Sequence, residues 1–262
     1  MKNDTNEKAW AEPLVGFSNG ADPLYQFYKE DIGEFYLSPI DTFRHSFPDV
    51  DVRPTQLTVI SWILPQTEAT KSDQRKRTRF PCERWVRARI YGEEVNDKLR
   101  RHVVAMLRQA GYEAVAPVLS PLWATEKSSR YVYASTWSER HAAYAAGLGT
   151  FGLCDGLITP KGKAMRCGSA IANIEIQPSN RPYSDHHAYC LFFSRATCGQ
   201  CISRCPARAL SRAGHDKTKC SECLEITRRY ATSHYGFEGY GCGLCQTGVP
   251  CESGIPLEIC NK

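Results

Sequence analysis

The residues most suited to chemistry are cysteines, and they are concentrated toward the end of the sequence. Ten of the thirteen cysteines lie between Cys190 and Lys262. The closely spaced ones are Cys198, Cys201, Cys205, Cys220, Cys223, Cys242, Cys245 and Cys251. Such spacings are compatible with iron–sulfur clusters, with zinc sites or with disulfides.

The run Cys198-x2-Cys201-x3-Cys205-Pro206 favours iron–sulfur clusters. It has the spacing of the final part of the bacterial ferredoxin pattern, in which the cysteine before proline binds the second of two [4Fe–4S] clusters. Proline ends the turn and directs its cysteine away from the first cluster. Zinc would suit the paired C-x2-C units but leaves Cys205-Pro206 unexplained, and disulfides are typical of small secreted domains. The spacing therefore predicts two [4Fe–4S] clusters.

The whole sequence limits the kind of protein. Its 262 residues, 42% of them hydrophobic, are enough for one or two domains with a real core. It has no apolar run long enough to span a membrane, and its start lacks the apolar segment and the twin arginines of export signals. We therefore expect a cytoplasmic protein without a membrane partner. Two anionic clusters would largely cancel the net charge of +5, so that charge is weak evidence for nucleic acid.

Hydrophobic periodicity and turn residues predict alternating strands and helices. The predicted elements are a short helix at 24–28 in an otherwise irregular 1–50, a strand at 56–64, a helix at 93–110, a strand at 112–116, a helix at 140–146 opened by a Thr136–Glu139 capping box, and strands at 157–160 and 168–176 around a turn at 161–163. This order predicts an α/β layer before the cysteine-rich region. The basic stretch from Lys71 to Arg89 predicts a solvated loop, with a phosphate contact as the alternative.

A glycine-rich turn, Gly147-Leu148-Gly149-Thr150-Phe151-Gly152, ends the helix at 140–146. It could serve only to stop the helix, or it could let the backbone lie against a large flat cofactor. A dinucleotide site is excluded because the glycines follow a helix instead of preceding one.

Two sets of residues together resemble one family group, which contains the epoxyqueuosine reductases and the reductive dehalogenases. The first set is Glu139-Arg140, Ala145 to Gly149, Gly152, Leu157 to Pro160 and Gly168; the second is the series of cysteines that follows it. The resemblance covers about residues 55–260. It implies an α+β protein with a nitroreductase-like, cobalamin-binding α/β domain at 1–180, followed by a ferredoxin-like domain with two [4Fe–4S] clusters at 181–262.

The resemblance also implies a function and a set of site residues. Electrons would pass through the clusters to cobalt, and Co(I) would reduce the substrate. Cys198, Cys201 and Cys251 match the ligands of one cluster. The matches for the other cluster are Cys205, Cys220, Cys242 and Cys245, with Cys223 as a rival to Cys220. The corrin-binding region is matched by Gly147, Leu148, Gly149, Gly152, Leu157 and Thr159.

The sequence departs from the family pattern at several points. Arg195 stands where the family has its leading cysteine, and Cys190 is expected to replace it. Cys245 and Cys251 are separated by five residues instead of three. Tyr133 occupies the position of the catalytic Asp of the epoxyqueuosine reductases, and the helical-repeat extension common in those enzymes has no counterpart. The last two departures weaken the assignment of tRNA as the substrate.

Tyr133 is the predicted proton donor, because the dehalogenases use a Tyr in that role. A phenol has a reference pKa near ~10, so it needs a nearby cation, and Arg140 or Arg130 could supply one. Cys154 and Cys167 are predicted to be small buried hydrophobic residues, and Cys82 and Cys260 to be non-ligands.

The sequence leaves two functions open. The first is a cobalamin-dependent reductase acting on a small-molecule or nucleoside-type substrate, with ferredoxin or flavodoxin as electron donor. The second is a two-cluster electron-transfer protein that serves a partner enzyme and has no corrinoid. By analogy of fold, a flavin could also take the place of cobalamin.

Overall fold

The computed structural model describes residues 7–260. Its strands are β1 (Leu14–Asn19), β2 (Thr58–Pro65), β3 (Ala114–Val115), β4 (Thr125–Ser128), β5 (Val132–Ser135), β6 (Thr150–Phe151), β7 (Leu157–Ile158), β8 (Met165–Ala172), β9 (Leu210–Ser211) and β10 (Gly214–His215). Its α-helices are α1 (Pro23–Ile32), α2 (Pro39–Ser46), α3 (Glu68–Arg75), α4 (Glu83–Gln109), α5 (Glu139–Ala145), α6 (Leu191–Arg195), α7 (Gln200–Ser203), α8 (Lys217–Tyr235) and α9 (Leu257–Cys260).

A four-stranded sheet organises the first two thirds of the described residues. Its strand order is β1-β2-β8-β3, and every neighbouring pair is antiparallel. Of the two central strands, β2 is almost entirely buried, and β8 is buried from Gly168 to Ala172. The remaining strands form two-stranded hairpins: β4 with β5, β6 with β7, and β9 with β10.

The main hydrophobic core lies between this sheet and helices α1, α2 and α5. Tyr25 and Trp137 stack with ring centroids 5.9 Å apart, and Phe43 and Ile63 are fully buried beside them. Large aromatic side chains bury much apolar area for few rotatable bonds, which makes them efficient at stabilising a core. A second cluster of buried residues forms around the cysteines and includes Leu153, Ile158 and Val249.

Several predicted elements are confirmed with altered bounds. The helix expected at 24–28 is α1; Asp22 caps it, and Pro23 begins it. The strand expected at 56–64 is β2, and the helix expected at 93–110 is α4, which begins ten residues earlier, at Glu83. The described part of the segment predicted to be irregular, residues 7–50, contains β1 and α2 besides α1.

The Thr136–Glu139 capping box was a wrong prediction. Ser138 is the N-cap of α5, and its side chain makes no capping hydrogen bond. The Thr136 hydroxyl instead accepts a hydrogen bond from the backbone N–H of Ala124 and donates one to the carbonyl of Leu122. It therefore fixes the loop before β5 and leaves the start of α5 uncapped.

The basic stretch from Lys71 to Arg89 is also not a loop, because α3 and the start of α4 occupy most of it. Three of its arginines pair with carboxylates: Arg75 with Glu252, Arg84 with Asp73, and Arg87 with Glu83. The charges of these side chains are therefore balanced within the protein, and a phosphate contact by the other basic side chains of the stretch stays an alternative. No helix among residues 7–260 is both long and apolar enough to cross a membrane.

Candidate metal centre and adjoining cavity

Four of the predicted ligands line one cavity: Cys190, Cys198, Cys201 and Cys251. Cys190 is the N-cap of α6, Cys198 lies two residues before α7, and Cys201 is the second residue of α7. Cys190 and Cys201 are each 8% exposed. Leu153, Ile158 and Val249 supply apolar walls. The lining therefore combines four soft sulfur donors with a nonpolar surrounding.

Arg195, which stands where the family has a cysteine, lies at the end of α6 and donates a hydrogen bond to the carbonyl of Glu258 at 3.2 Å. Cys190 lies at the other end of this one-turn helix. Its side chain lines the cavity, whereas Arg195 does not. The geometry is thus compatible with the expectation from the sequence that Cys190 takes over the role of the cysteine that Arg195 replaces. Its role as a ligand stays a prediction.

The second group of cysteines gathers at the start of α8. This helix carries Cys220 and Cys223 one turn apart, so both lie on one face. Cys223 is hydrogen bonded to Cys242, and this contact lowers the pKa of Cys223 to about 7. Cys220 contacts His215, whose pKa is raised to about 10 by hydrogen bonds to Asp155 and then to Cys220. Cys220 also acts electrostatically on Cys242, so both candidates for the spacer ligand are close to that thiol.

The remaining two predicted ligands of that group lie nearer the first cavity. The Cys205 sulfur accepts a hydrogen bond from the backbone N–H of Ala209 at 3.3 Å. Cys245 is hydrogen bonded to Cys154, and this contact together with burial raises the pKa of Cys245. Both side chains pack against the hydrophobic cluster that contains Cys190 and Cys201.

Cys154 connects the two groups of cysteines. It is 7% exposed, and hydrogen bonds from Cys201 and Cys245 lower its pKa. Its sulfur also accepts a hydrogen bond from the ammonium of Lys163 at 3.3 Å. Cys154 is thus buried as predicted, but its surroundings are polar. Cys167 is half-buried at the edge of the main hydrophobic core, and burial raises the pKa of its thiol to about 12.

A larger cavity of about 450 Å³ adjoins this region. Two of the predicted site residues, Arg140 and Leu157, line it. Trp123, Trp137 and Met165 form apolar walls. The basic side chains of the lining are Arg89, Arg100, Arg140, Lys163 and Arg166, and the acidic ones are Glu93 and Glu139. A volume of this size is typical of a small-molecule site, and the excess of basic groups favours an anionic ligand.

The predicted cofactor residues of the glycine-rich turn lie elsewhere. Gly147, Leu148, Gly149 and Thr159 are not part of the lining of the large cavity as the described residues form it, and Gly152 lines the four-cysteine cavity. A side chain on Gly147 would collide with the carbonyl of Asn180, and one on Gly149 with the carbonyl of Ile158. The chain's own backbone thus accounts for these two glycines, and their contact with a corrin stays a prediction.

Tyr133 lies on β5, with 37% of its surface exposed. Its hydroxyl donates a hydrogen bond to the carbonyl of Lys217 at 3.3 Å, and the Lys217 ammonium lies 5.5 Å from the centre of its ring. The cation beside the phenol is therefore Lys217. Arg130 pairs with Asp31, and Arg140 donates to the carbonyl of Asp155.

Sequence reasoning missed Glu139 as an acid in the large cavity. Burial raises its pKa, although the neighbouring Arg100 acts in the opposite direction. Ser169 donates a hydrogen bond to one carboxylate oxygen, and Arg100 binds the other. The Glu139-Arg140 pair was visible in the sequence as part of the family pattern, but only the fold places the carboxyl inside a cavity.

All twelve cysteines whose side chains are described are free thiols. Among residues 7–260, no three His, Cys, Asp or Glu side chains converge closely enough to hold a single metal ion. The side chain of Cys260 lies outside the described residues. Metal analysis therefore has to separate the iron–sulfur and zinc alternatives.

The sequence matches no family model and has no significant match among curated proteins. Solved structures do resemble it. An epoxyqueuosine reductase is 18% identical with a TM-score of 0.51, and the match covers 93% of this chain and 62% of that protein. A catabolic reductive dehalogenase in complex with 3-bromo-4-hydroxybenzoic acid is 17% identical with a TM-score of 0.53, covering 94% of this chain and 30% of that protein.

A further reductive dehalogenase, studied for B12-dependent dehalogenation, is 16% identical with a TM-score of 0.51, over 94% of this chain and 31% of that protein. The chain spans about three fifths of the reductase and under a third of the dehalogenases. At these identities the likeness establishes the fold. The resemblance predicted from the sequence is confirmed at that level: the chain shares the fold of the epoxyqueuosine reductases and the reductive dehalogenases.

Proposed function

We propose that this chain is an iron–sulfur oxidoreductase whose cysteines hold two [4Fe–4S] clusters beside a cavity for a cobalamin and a reducible substrate. The observation that carries the proposal is the cavity lined by Cys190, Cys198, Cys201 and Cys251. Four thiols in a cavity whose other walls are mostly apolar match the ligand set of a [4Fe–4S] cluster. When bound, the clusters would supply one-electron transfer and the cobalamin a strongly reducing centre.

The second cluster would be held by Cys205, Cys242, Cys245 and one of the two cysteines of α8. Cys223 is the cysteine in hydrogen-bond contact with Cys242, whereas Cys220 contacts His215. This difference favours Cys223, which the sequence had ranked behind Cys220. The division into a cobalamin-binding domain at 1–180 and a ferredoxin-like domain at 181–262 is part of the same proposal.

The large cavity, at about 450 Å³, is too small to enclose a whole cobalamin, so it is the proposed place where the reactive face of a cobalamin meets the substrate. Trp123 offers an exposed flat apolar surface, and Met165 adds a further apolar group, while Ser135, Ser138 and Gln246 offer polar groups at its edge. This mixture suits a macrocycle with apolar faces and a polar rim. Among the predicted residues, Arg140 and Leu157 would contact the bound groups there, and Tyr133 would approach from the β4–β5 hairpin.

The chain's own groups must provide the proton of a reduction, because the clusters provide only electrons. Tyr133, with Lys217 beside it, is the proposed donor. Glu139 is the competing donor, because it lines the cavity and burial raises its pKa. The excess of basic side chains in the lining favours a substrate that carries a carboxylate or phosphate group. A low-potential donor such as ferredoxin or flavodoxin would supply the electrons.

An anaerobic cobalamin titration of the cluster-loaded protein, with cobalt analysis, tests this proposal. We expect binding of about one cobalamin per chain. Trp123→Ala should weaken it by roughly 2- to 10-fold, the value of one aromatic contact. Tyr112→Ala is the matched control, since Tyr112 is similarly exposed but does not line the cavity.

Clusters without any cobalamin binding would leave the electron-transfer protein as the better account. If a parallel titration shows that the protein binds a flavin and no cobalamin, the proposed cofactor would be wrong, but the assignment of the large cavity as the cofactor site would stand. Absence of iron–sulfur clusters from the wild-type protein would contradict the proposal as a whole.

A further inference from the structure

Lys163 is a buried lysine that lies between the two groups of cysteines. It is 3% exposed, and its ammonium nitrogen lies 3.3 Å from the sulfur of Cys154. It is also hydrogen bonded to Cys251. Lys163 lines both the four-cysteine cavity and the large cavity, so a single side chain forms part of the wall of each.

The backbone holds Lys163 firmly in this position. Its N–H donates to the carbonyl of Cys251 at 2.9 Å, and the N–H of Ala164 donates to the carbonyl of Glu252 at 3.3 Å. Gly162 has a φ of +82° and lies so close to the backbone of Glu252 that a side chain there would collide with it. The turn that carries the lysine is therefore fixed to the segment that carries Cys251.

A buried ammonium needs a compensating negative charge, because moving an isolated ion out of water into a protein interior is energetically costly. The charged groups that act on Lys163 most strongly are the sulfurs of Cys154, Cys251, Cys245 and Cys201, in that order. The direct contacts of the ammonium are with sulfur, namely Cys154 and Cys251. The site is thus built for a cation that faces sulfur, and cluster-bound thiolates would supply the negative charge.

We propose that Lys163 is a positioning residue that raises the reduction potential of the cluster held by Cys190, Cys198, Cys201 and Cys251. This inference rests on the proposed function. Reduction adds one electron, taken from a low-potential one-electron donor, to a [4Fe–4S]²⁺ cluster and gives [4Fe–4S]⁺; no bond forms or breaks. A fixed positive charge and a hydrogen bond to a ligand sulfur both stabilise the more negative reduced form. The ammonium also orients the sulfur of Cys251 toward the cavity.

The test is a redox titration of the reconstituted protein with dithionite, followed by EPR. Lys163→Met keeps the length of the side chain and removes its charge, while Lys163→Arg keeps the charge. Lys161→Met is the matched control, because Lys161 lies two residues away on the same turn and is exposed. Iron content and far-UV circular dichroism are measured for every variant.

We expect Lys163→Met to make reduction of the cluster at least tenfold less favourable in its equilibrium constant. For one electron this corresponds to a midpoint potential lower by about 59 mV. Lys163→Arg and Lys161→Met should stay close to wild type. If Lys163→Met cannot hold its clusters, Lys163→Gln replaces it. If both neutral variants lose iron while their circular dichroism spectra stay unchanged, the positive charge of Lys163 is needed to hold the clusters. That result would also support an interaction between Lys163 and the clusters.

Full iron content with an unchanged potential in Lys163→Met would overturn this inference alone. A wild-type protein that takes up no iron–sulfur cluster would instead overturn the proposed function, and with it the role of Lys163. The two failures are therefore distinguishable in one set of measurements.

Discussion

Arg100 and Glu139 form a buried ion pair that joins α4 to α5. A guanidinium nitrogen of Arg100 lies 3.0 Å from a carboxylate oxygen of Glu139, and the two side chains are 1% and 14% exposed. Arg100 also binds Glu93, Asp97 and the carbonyl of Cys167. One arginine therefore connects two helices to the central strand β8 at the wall of the large cavity.

Removal of this arginine should destabilise the fold. Arg100→Met leaves Glu139 buried without its cationic partner, and breaking a buried pair in this way typically costs about 3–5 kcal/mol. Urea unfolding followed by circular dichroism should show a loss of this size in the free energy of unfolding. Arg101→Met is the control, because Arg101 is the next residue of α4 and is exposed. Equal stability of the two variants would contradict a structural role for the pair.

The sequence predicted the elements whose signals are local. The continuous apolar run of β2 and the 3.6-residue period of α4 identify them without knowledge of the rest of the fold. By contrast, β1 mixes Gly16 and polar residues with an exposed Val15, so it lacks a clear alternation. The N-cap of α5 was misplaced because Thr136 and Ser138 are equally suitable residues, and only tertiary contacts decide between them.

The candidate site shows the same limit. Spacing identified the cysteines of the two C-x2-C groups, but their neighbours depend on the folded chain. Lys161 and Lys163 are indistinguishable in sequence, yet one is exposed and the other is buried beside Cys154. Cys223 and Cys220 lie on the same face of α8, so spacing could not rank them.

The ligand assignment predicts which cysteines the clusters require. Cys190→Ala should lose one cluster, or about half of the iron, because its thiol lines the cavity with Cys198, Cys201 and Cys251. Cys205→Ala should lose the other cluster. Cys82→Ala is the control: it is equally buried, but its pocket is formed by Trp85 and Ala164. Two intact [4Fe–4S] signals by EPR in Cys190→Ala would exclude Cys190 as a ligand.

The two cysteines of α8 give a separate comparison. Cys223→Ala should reduce iron content more than Cys220→Ala, because Cys223 is the one in contact with Cys242. Iron and sulfide analysis after identical reconstitution measures the difference. A greater loss from Cys220→Ala would restore the assignment made from the sequence.

The proposed proton donor can be identified by comparing the turnover of two conservative variants, Tyr133→Phe and Glu139→Gln. Tyr133→Phe keeps the ring and removes only the hydroxyl, so clusters and cobalamin affinity should be unchanged while turnover falls by about 10²–10⁴. The assay measures turnover of a halogenated or epoxide test substrate with a carboxylate group. If Tyr133→Phe retains wild-type turnover and Glu139→Gln loses it, the donor is the carboxyl of Glu139.

The content of iron and sulfide is the most direct test of the central claim that this chain holds two [4Fe–4S] clusters. After anaerobic reconstitution we expect about eight iron atoms and eight sulfides per chain, since each cluster contains four of each. A visible absorption band should be present and should bleach with dithionite. One or two zinc ions per chain in place of iron, without sulfide, would contradict the account.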